Sequence, residues 1–523
     1  MPHERLERIS LLGRIGLLAV AYVLLAKIGL EVATVGKSVT LVWPPTGLSL
    51  AILLLGSRRE WPGVAIGAFI ANVTTVGVGP GTAAGIALGN TLEAFVGATL
   101  VERRDFHPAL DRTRDVLRLV FLGALAATTL SASIGTATLG IAGLVPPQNL
   151  SRAFGIWWMG DAMSALVITP ALLAWRTRPE DKEQRPWWEV AALILTLAAA
   201  SLSAVSHPGS NAQYLVFPPI IWAGLRFGPR GATAATLVVA IATVGATVGG
   251  HSAFAVSTLA DNLVALHAFM ASVALTGLVL GATAAERTRA IRAREHFISV
   301  ASHELRAPLA PIRLQVQRLL RNMSPNKEPM PRERVVDALE VVDRQVGRLT
   351  RLLEELLDVT RLRLGRLQLA PQEMDLGTLV DELAETQREP LSQGGCTLRI
   401  EKKGALVGRW DRERLSQVVT NLMSNAVKHG GPGLVEISAD GRATTVRLVV
   451  RDHGPGVAER DRERIFARFE RAAPEGGQAR GVGLGLYIAR EIVTAHGGWI
   501  SVENPPGGGA AFEIALPASV PKR

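Results

Sequence analysis

Long apolar stretches dominate the first 285 residues, whereas the remainder of the 523-residue chain has the mixed, charged character of a soluble domain. Most stretches reach the roughly 17–25 residues that a helix needs to cross a bilayer. We therefore predict a membrane α-helical bundle over residues 1–285 with ten spans, or eight as the alternative, because one short stretch contains Pro218 and Pro219. The stretches are 9–30, 40–56, 62–79, 82–101, 116–145, 153–175, 187–205, 213–226, 231–249 and 255–284.

Arginine is concentrated in alternate connections between these stretches. If the N-terminus is cytoplasmic, every inner connection holds at least two arginines, and the outer ones hold chiefly Lys37 and Arg152. This is the positive-inside pattern, so the formal net charge of +10 reflects topology and we expect no nucleic-acid partner. We predict a multi-pass protein of the inner (plasma) membrane with both termini in the cytoplasm. The inner connections are 57–60, 102–115, 176–186, 226–230 and 286–295.

Four ionisable residues fall at or near membrane depth: Arg14, Glu93, Asp161 and Asp261. Such groups are costly in a bilayer, so each is a candidate functional residue, with internal pairing or a place near a span end as an equally good alternative. The stretch "VWPPTG" (42–47) is expected to interrupt a span near its start, because proline displaces the preceding residue from helical geometry.

Several segments of the first 285 residues resemble the first-type membrane-associated sensor domain of bacterial signalling proteins. They are "VWPPTGLSLAILLLG", "GAFIANV", "GNTLEAFVGATLVERR", "WWMGDAMSALVITPALLAW" and "FPPIIWAGLRFGPRGA". The resemblance covers roughly residues 10–285. It implies an integral membrane input module and leaves the input ligand unknown.

A two-helix hairpin is predicted over residues 286–365. The last apolar stretch leads into "AAERTRAIRAREHF", which is rich in helix formers, so we expect one continuous helix from the membrane into the cytoplasm. The second helix carries a heptad repeat. Two helices bury little core, so the hairpin is expected to pair with a second copy into a dimeric four-helix bundle. The repeat consists of Val335, Leu339, Val342, Val346, Leu349, Leu353 and Leu356.

The first helix carries a matching apolar stripe of Ala301, Leu305, Ile312, Val316 and Leu319. Within "SHELRAPLAP" (302–311), His303 lies on the opposite side of this helix and is expected to face solvent. A lone exposed histidine is usually an ordinary surface residue. Here Glu304 is adjacent, and Pro308 and Pro311 each remove a helical hydrogen bond just downstream. We predict that the prolines allow the helix to bend beside a reactive imidazole.

An α+β pattern follows from about residue 370, with strands at 434–440, 444–452 and 510–517 and a helix at 412–430. Asn421, Asn425 and Lys428 share one face of that helix. Amide oxygens suit Mg²⁺, although three polar residues on an amphipathic helix are more often simply solvated.

Two glycine-rich segments complete the candidate site. In "DHGPGV" (452–457), Asp452 can accept a hydrogen bond from an exocyclic amine, while Gly454 and Gly456 let a flat base approach the backbone. A simple turn is the alternative. In "RGVGLGLYIAREI" (480–492), glycine amides before a helix N-terminus favour phosphate oxygens. These glycines are Gly481, Gly483 and Gly485.

The order of these motifs, from the histidine hairpin to "GVGLGL" and "GGG", resembles that of the sensor histidine kinases over residues 290–519. The resemblance implies a Bergerat-type ATP-binding sandwich over residues 370–519, with ATP and Mg²⁺ as cofactors. It implies that His303 is the phosphorylated residue and Glu304 its helper base, that Asn425 is the Mg²⁺ ligand beside Asn421, and that Asp452 binds adenine. By motif position, Lys428 and His429 are expected at the phosphates, although tyrosine is commoner than His429. Residues 458–480, with Phe466 and Phe469, resemble a mobile lid.

The resemblance also implies the reaction: ATP phosphorylates His303, and the phosphoryl group passes to an aspartate in the receiver domain of a separate response regulator, since none follows residue 519. A chaperone-like ATPase of the same superfamily is one rival, but it does not require a histidine hairpin. A membrane transporter or receptor with an inactive scaffold is another, but it predicts degraded ATP motifs. Ala307 stands where the kinases usually have threonine or asparagine, so we expect weak phosphatase activity.

Overall fold

The computed structural model describes residues 10–31, 42–102, 106–177, 185–206, 211–248, 254, 259–322, 331–363, 368–442, 444–468, 470 and 483–518. The chain divides into two compact units, residues 1–292 and 293–523.

The first unit is a bundle of apolar helices. Three of them begin with proline in the first turn, where the missing N–H is not needed. The prolines of "VWPPTG" lie in the first turn of one of these helices, and Trp43 before them is not helical, as expected for a residue that precedes proline. Residues 32–41 lie outside the described residues, so the interruption of a span stays a prediction. The helices are α1 (Leu11–Glu31), α2 (Pro44–Leu55), α3 (Trp61–Val73), α4 (Pro80–Val101), α5 (Thr113–Arg118), α6 (Thr128–Ile141), α7 (Leu150–Arg176), α8 (Trp187–Ser206), α9 (Phe217–Val248) and the first part of α10 (Leu259–Asn322), with a π-helical segment at Leu119–Ala126.

Within the described residues, seven helices are long and apolar enough to cross a membrane. Two predicted spans correspond to the shorter helices α2, with 12 residues, and α3, with 13. Two others are joined in α9, which is interrupted only at Gly228, whose φ of 64° and ψ of −154° are not helical. The structure therefore does not reproduce ten separate spans, and the number of passes remains a prediction.

Helix α10 contains 64 residues and runs through Pro308 and Pro311 without a break. The predicted continuous helix is confirmed, and the bend at the prolines remains a prediction. Its second half and α11 (Arg332–Arg363) supply the two helices of the predicted hairpin. The exposed fractions of Leu339, Val346 and Leu353 are 53%, 46% and 47%. Part of the predicted heptad seam is therefore uncovered within one chain.

The rest of the second unit is an α/β sandwich. A five-stranded sheet has the order β2-β4-β5-β7-β6, in which β2 and β4 are parallel and the other neighbours antiparallel. Strands β1 and β3 form a separate antiparallel pair. The strands are β1 (Gln372–Asp375), β2 (Cys396–Lys403), β3 (Val407–Trp410), β4 (Gly433–Gly441), β5 (Thr445–Arg451), β6 (Trp499–Glu503) and β7 (Ala511–Pro517).

The helices of the sandwich bury their apolar faces in one core with the sheet, as their amphipathic patterns require. They are α12 (Leu376–Thr386), α13 (Arg388–Gln393), α14 (Arg412–Gly430) and α15 (Gly485–Ala495). The predicted helix at 412–430 is α14, and the three predicted strands are β4, β5 and β7, which confirms these assignments.

Candidate functional site

Helix α14 carries the asparagine motif, and its first turn is fixed by two contacts of Asp411. One carboxylate oxygen accepts a hydrogen bond from the Arg414 amide at 3.1 Å, and the Asp411 amide donates to Nε2 of the fully buried His496 at 3.0 Å. Asn421 donates to the carbonyl of Gly485 at 3.2 Å, which joins α14 to the start of α15. Among the described residues the Asn425 amide makes no hydrogen bond, so its oxygen is available to a ligand.

Asp452 lies directly after β5 and is 5% exposed. Its Oδ1 accepts hydrogen bonds from the amides of Gly454 at 2.9 Å and Ala510 at 3.1 Å. These bonds fix the carboxylate, and no described hydrogen bond uses Oδ2. An oriented carboxylate with one uncommitted oxygen can accept a hydrogen bond from an amine, and its predicted contact with adenine stays a prediction.

The glycines around Asp452 are required by the packing of the protein itself. A Cβ atom at Gly454 would lie 2.6 Å from Cα of Gly430, and one at Gly430 would lie 2.6 Å from Cβ of Asp452. Gly456 has a φ of 75°, which favours glycine, and faces Asn504. Asn504 accepts a hydrogen bond from the amide of Val457 and donates one to its carbonyl.

The second glycine motif leads into α15. Gly485 is its first residue, and Gly483, with a φ of 72°, allows the chain to turn into the helix. The helix N-terminus favours anions, which agrees with the predicted phosphate contact. Gly481 lies outside the described residues.

The predicted lid is only partly described. Phe466 is buried and forms an edge-to-face pair with Phe512 at a centroid distance of 6.4 Å, so it belongs to the core and not to a mobile segment, contrary to our expectation. Arg468 donates to the hydroxyl of Tyr487 at 2.6 Å. Phe469 and residues 471–480 lie outside the described residues.

Lys428 and His429 end α14 beside Asp452. Although Lys428 reaches the surface, the surrounding protein desolvates its ammonium and lowers its pKa, while the carboxylate of Glu355 on α11 raises it. Although His429 also reaches the surface, desolvation by the surrounding protein and the charge of Lys428 lower its pKa, with Asp452 opposing. The neutral form of the His429 ring is thereby favoured, so Lys428 is the better candidate for a cation at the phosphates.

His303 is exposed on α10, with 81% of its side chain accessible. Its Nδ1 lies 3.9 Å from Oε1 of Glu304, which is too long for a hydrogen bond, so the two must approach before a proton can pass. The other carboxylate oxygen of Glu304 lies 4.0 Å from Arg348 on α11. This arrangement leaves Nε2 of His303 unobstructed by the glutamate.

A buried polar network joins α11 to α14 and was not foreseen from the sequence. Asp358 accepts hydrogen bonds from Arg414 and Gln417, both at 2.8 Å, and Arg414 also donates to Gln417. Asp358 is buried. We refer to these three residues as the α11–α14 network. The one sequence signal for this network is an acidic residue, Asp358, within the apolar face of α11.

The membrane-depth residues differ in their surroundings. Arg14 lies 3.4 Å from the buried carboxylate of Glu60, so it pairs internally. Asp261 is exposed in the first turn of α10. Glu93 and Asp161 are buried on either side of the Thr46 hydroxyl, which lies 3.5 Å from the former and 3.1 Å from the latter. The sequence did not predict that these two acids meet.

Comparisons with known proteins divide the chain near residue 290, as the two compact units of the structure do. Residues 15–288, more than half of the chain, match the MASE1 family. Residues 293–365 match the His Kinase A (phospho-acceptor) domain, and residues 410–520 match the histidine kinase-, DNA gyrase B- and HSP90-like ATPase domain.

Two relatives named as sensor proteins are similar to part of the chain. Sensor histidine kinase TmoS of Ectopseudomonas mendocina is 33% identical over 45% of this chain and 24% of its own length. Alginate biosynthesis sensor protein KinB of Pseudomonas aeruginosa is 32% identical over 43% of this chain and 37% of its own length. The chain thus spans well under half of either relative.

Among solved structures, the mycobacterial sensor histidine kinase MprB is 28% identical and covers 29% of this chain and 100% of its own, with a TM-score of 0.26. Because the MASE1 match extends over more than half of its residues, the chain belongs to the MASE1 family, and its membrane domain is followed by the phospho-acceptor and ATPase domains that the other two matches identify.

Proposed function

We propose that this protein is a membrane-bound sensor histidine kinase that phosphorylates His303 with ATP and passes the phosphoryl group to an aspartate of a response regulator. The observation that carries the proposal is the combination of an exposed His303–Glu304 pair with a nucleotide fold in which Asp452 is oriented and has one oxygen uncommitted. A chaperone-like ATPase does not require such a pair, and an inactive scaffold does not require such an oriented acid.

Phosphoryl transfer of this kind depends on positioning and charge neutralisation more than on covalent chemistry. Asp452 orients the base, and the N-terminus of α15 accepts phosphate oxygens. The amide oxygen of Asn425 fits Mg²⁺, with Asn421 held beside it by Gly485. When bound, Mg²⁺ would neutralise part of the triphosphate charge.

On the acceptor side, Glu304 orients or accepts the proton at Nδ1 of His303, which makes Nε2 the nucleophile. Exposure of the imidazole allows the catalytic domain and later the regulator to reach the same atom. The regulator must therefore present its aspartate to this exposed face of α10.

A second copy of the chain would complete a four-helix bundle with the hairpin of the first. Large apolar side chains are exposed on both of its helices, and single-chain packing leaves them in water. Pairing two hairpins into a four-helix bundle would bury them. These residues are Leu309, Leu314, Val316 and Leu320 on α10 and Val336, Leu339, Val346, Leu353 and Leu357 on α11.

The direct test is labelling of the full chain in lipid nanodiscs with γ-labelled ATP. His303→Gln is expected to lose labelling while retaining nucleotide binding, because His303 lies outside the nucleotide site. The matched control is His296→Gln, which changes another exposed histidine of α10 and should label normally. The label should be labile in acid and stable in base.

The nucleotide site is tested in the same preparation. Asp452→Asn should lower nucleotide affinity by about 1–3 kcal/mol, or roughly 5- to 150-fold, because an amide offers the adenine amine a poorer acceptor. Asp440→Asn, which alters an exposed acid of β4, is the control. Persistent labelling of His303→Gln, or unchanged affinity in Asp452→Asn, contradicts the proposal.

A further inference from the structure

A small cavity lies inside the membrane unit, between α1, α2, α4 and the π-helical segment. Its volume is about 10 Å³, which accommodates one water molecule or one ion of similar size. Most of its wall is apolar, but five of the residues that line it carry polar side chains. The lining includes Tyr22, Thr46, Ser49, Asn90 and Glu93.

Glu93 has too few hydrogen-bond donors for a buried carboxylate. The residue is 4% exposed, and its Oε1 has no hydrogen-bond partner in the part of the chain that the structure describes. Its Oε2 lies 3.5 Å from the Thr46 hydroxyl, but that hydroxyl has a single hydrogen and lies closer, at 3.1 Å, to Asp161. A buried carboxylate left in this state must take up a cation or a proton.

Ser49 provides a second, independent observation. It is 1% exposed, and its hydroxyl also lacks a partner among the described residues, although it lines the same cavity. Asn90 is already committed, because it donates to Tyr22 and accepts from Ser131, both at 2.8 Å. The uncommitted oxygens of the cavity are thus one carboxylate oxygen and one hydroxyl, which face a space the size of an ion.

We propose that this cavity binds one small monovalent cation of the Na⁺ class. One carboxylate, Glu93, lines the cavity, and a single positive charge balances that group. Asp161, whose Oδ2 also has no partner among the described residues, lies across Thr46 and outside the lining. Ca²⁺ takes six to eight oxygen ligands and Mg²⁺ retains several waters, and a cavity of this size has room for neither arrangement. The ligands would be Glu93 and Ser49, with lone pairs of the Thr46 and Tyr22 hydroxyls.

The cation would join helices that are otherwise held by apolar packing. Glu93 and Asn90 belong to α4, Thr46 and Ser49 to α2, and Tyr22 to α1. Occupancy therefore stabilises the arrangement of three helices in the input domain. This inference does not depend on kinase activity, because the site lies wholly within the membrane unit and its binding is measured without ATP.

The test measures cation binding by the full chain in nanodiscs at neutral pH and constant ionic strength. Thermal unfolding is followed in NaCl and in choline chloride, and ²²Na⁺ equilibrium dialysis gives the stoichiometry. Na⁺ should raise the unfolding temperature saturably, as a ligand of the native state does, with one ion bound per chain.

Two variants remove ligands and one serves as a matched control. Ser49→Ala breaks no hydrogen bond, so it should unfold as wild type in choline but need about 10- to 100-fold more Na⁺ for the same stabilisation. Glu93→Gln should abolish the Na⁺ response. Glu102→Gln changes a half-exposed glutamate next to α4, paired with Arg58, and should respond as wild type.

The inference is overturned if Na⁺ and choline act alike on the wild type, if Glu93→Gln keeps the Na⁺ response, or if only Ca²⁺ or Mg²⁺ stabilises the protein. A response to pH without a response to Na⁺ would assign a proton to Glu93 and would equally overturn it. Because Ser49→Ala is expected to fold normally, poor folding of Glu93→Gln does not remove the test.

Discussion

Ala307 lies one turn after His303 on α10 and is exposed. A methyl group has no donor or acceptor, so it cannot orient the water that would remove phosphate from a phosphorylated regulator. A neighbouring group, or the carbonyl that Pro311 leaves without a helical partner, is the alternative way to hold that water. We expect the wild type to be a weak phosphatase and Ala307→Thr a stronger one.

The rate of regulator dephosphorylation should rise in Ala307→Thr by the value of one positioning hydrogen bond, about 1–3 kcal/mol or roughly 5- to 150-fold. The measurement is dephosphorylation of labelled regulator with ADP present, with autophosphorylation of both forms assayed separately. If the wild type already dephosphorylates rapidly and threonine adds nothing, the alternative is correct.

His496 couples the stability of the catalytic domain to pH. Its Nε2 accepts a hydrogen bond from the Asp411 amide and its Nδ1 lies 2.8 Å from the carbonyl of Ile492, so the buried ring is neutral with the proton on Nδ1. Burial lowers the pKa of His496 below its ordinary value of 6.5. Below that pH the unfolded chain binds a proton that the folded chain does not, so the free energy of unfolding should decrease as pH falls.

Hydrogen exchange of amides in α14 and α15, corrected for the intrinsic effect of pH, measures this dependence. His496→Gln should show a flatter profile below about pH 6.5 together with a lower overall stability. His303→Gln, which changes a histidine with 81% of its side chain exposed, should keep the wild-type profile. Equal slopes in wild type and His496→Gln would exclude this assignment.

Residues in short motifs could be proposed from the sequence, and their roles stay predictions, whereas the residues that support them carried no signal. His303, Asn421, Gly483 and Asp452 are marked by residue type and spacing. The contacts of His496 and Asn504 join positions 85 and 47 apart in sequence, and such pairs have no local pattern. Phe466 was misplaced because an aromatic residue in a lid and one in a core look alike until the packing is known.

At the scale of elements, the α11–α14 network holds the catalytic domain against the hairpin. Under the proposed function the nucleotide must reach the exposed His303, and a network that ties the catalytic domain to α11 would oppose movement of that domain toward a histidine. Asp358 is buried but Arg414 is partly exposed, so the loss should be that of a hydrogen bond to a charged group, about 1–3 kcal/mol. Asp358→Asn should therefore raise the rate of autophosphorylation, by about tenfold for each 1.4 kcal/mol removed from the barrier.

The nucleotide affinity of Asp358→Asn should be unchanged, because the network lies outside the nucleotide site. Asp381→Asn is the control, since Asp381 is an exposed acid that pairs with Lys402 in the same domain. A slower rate in Asp358→Asn would mean that the contact belongs to the phosphorylating arrangement instead.

Elements with strong periodicity were predicted well, and α14 matches its predicted limits. Strands β1, β2, β3 and β6 were not predicted. Strands β1 and β3 have four residues each, too few for alternation to be distinguished from chance, and β2 is largely charged in its second half. The heptad seam of α11 was recognised, but a sequence pattern cannot separate side chains that pack within a chain from those that a second copy would cover.

At the scale of the whole molecule, we predict that all arginine-rich connections lie in the cytoplasm. Ion pairs between them support one common end: Arg58 with Glu102 at 3.0 Å, and Arg289 with Asp111 at 3.3 Å. Reporter fusions at 57–60, 102–115 and 176–186 should all give a cytoplasmic signal. An external signal from any one of them would refute the topology.

The uninterrupted α10 has a consequence for how such proteins can be assembled from parts. A helix of 64 residues is about 96 Å long, and each residue added within it turns everything downstream by about 100°. Recombination that joins a new input module to this output must preserve the rotational phase of the helix. Exchanges offset by seven residues nearly restore it, whereas offsets of one or two do not. Functional fusions should therefore occur at junctions spaced about seven residues apart along α10 and should be rare at the positions between them.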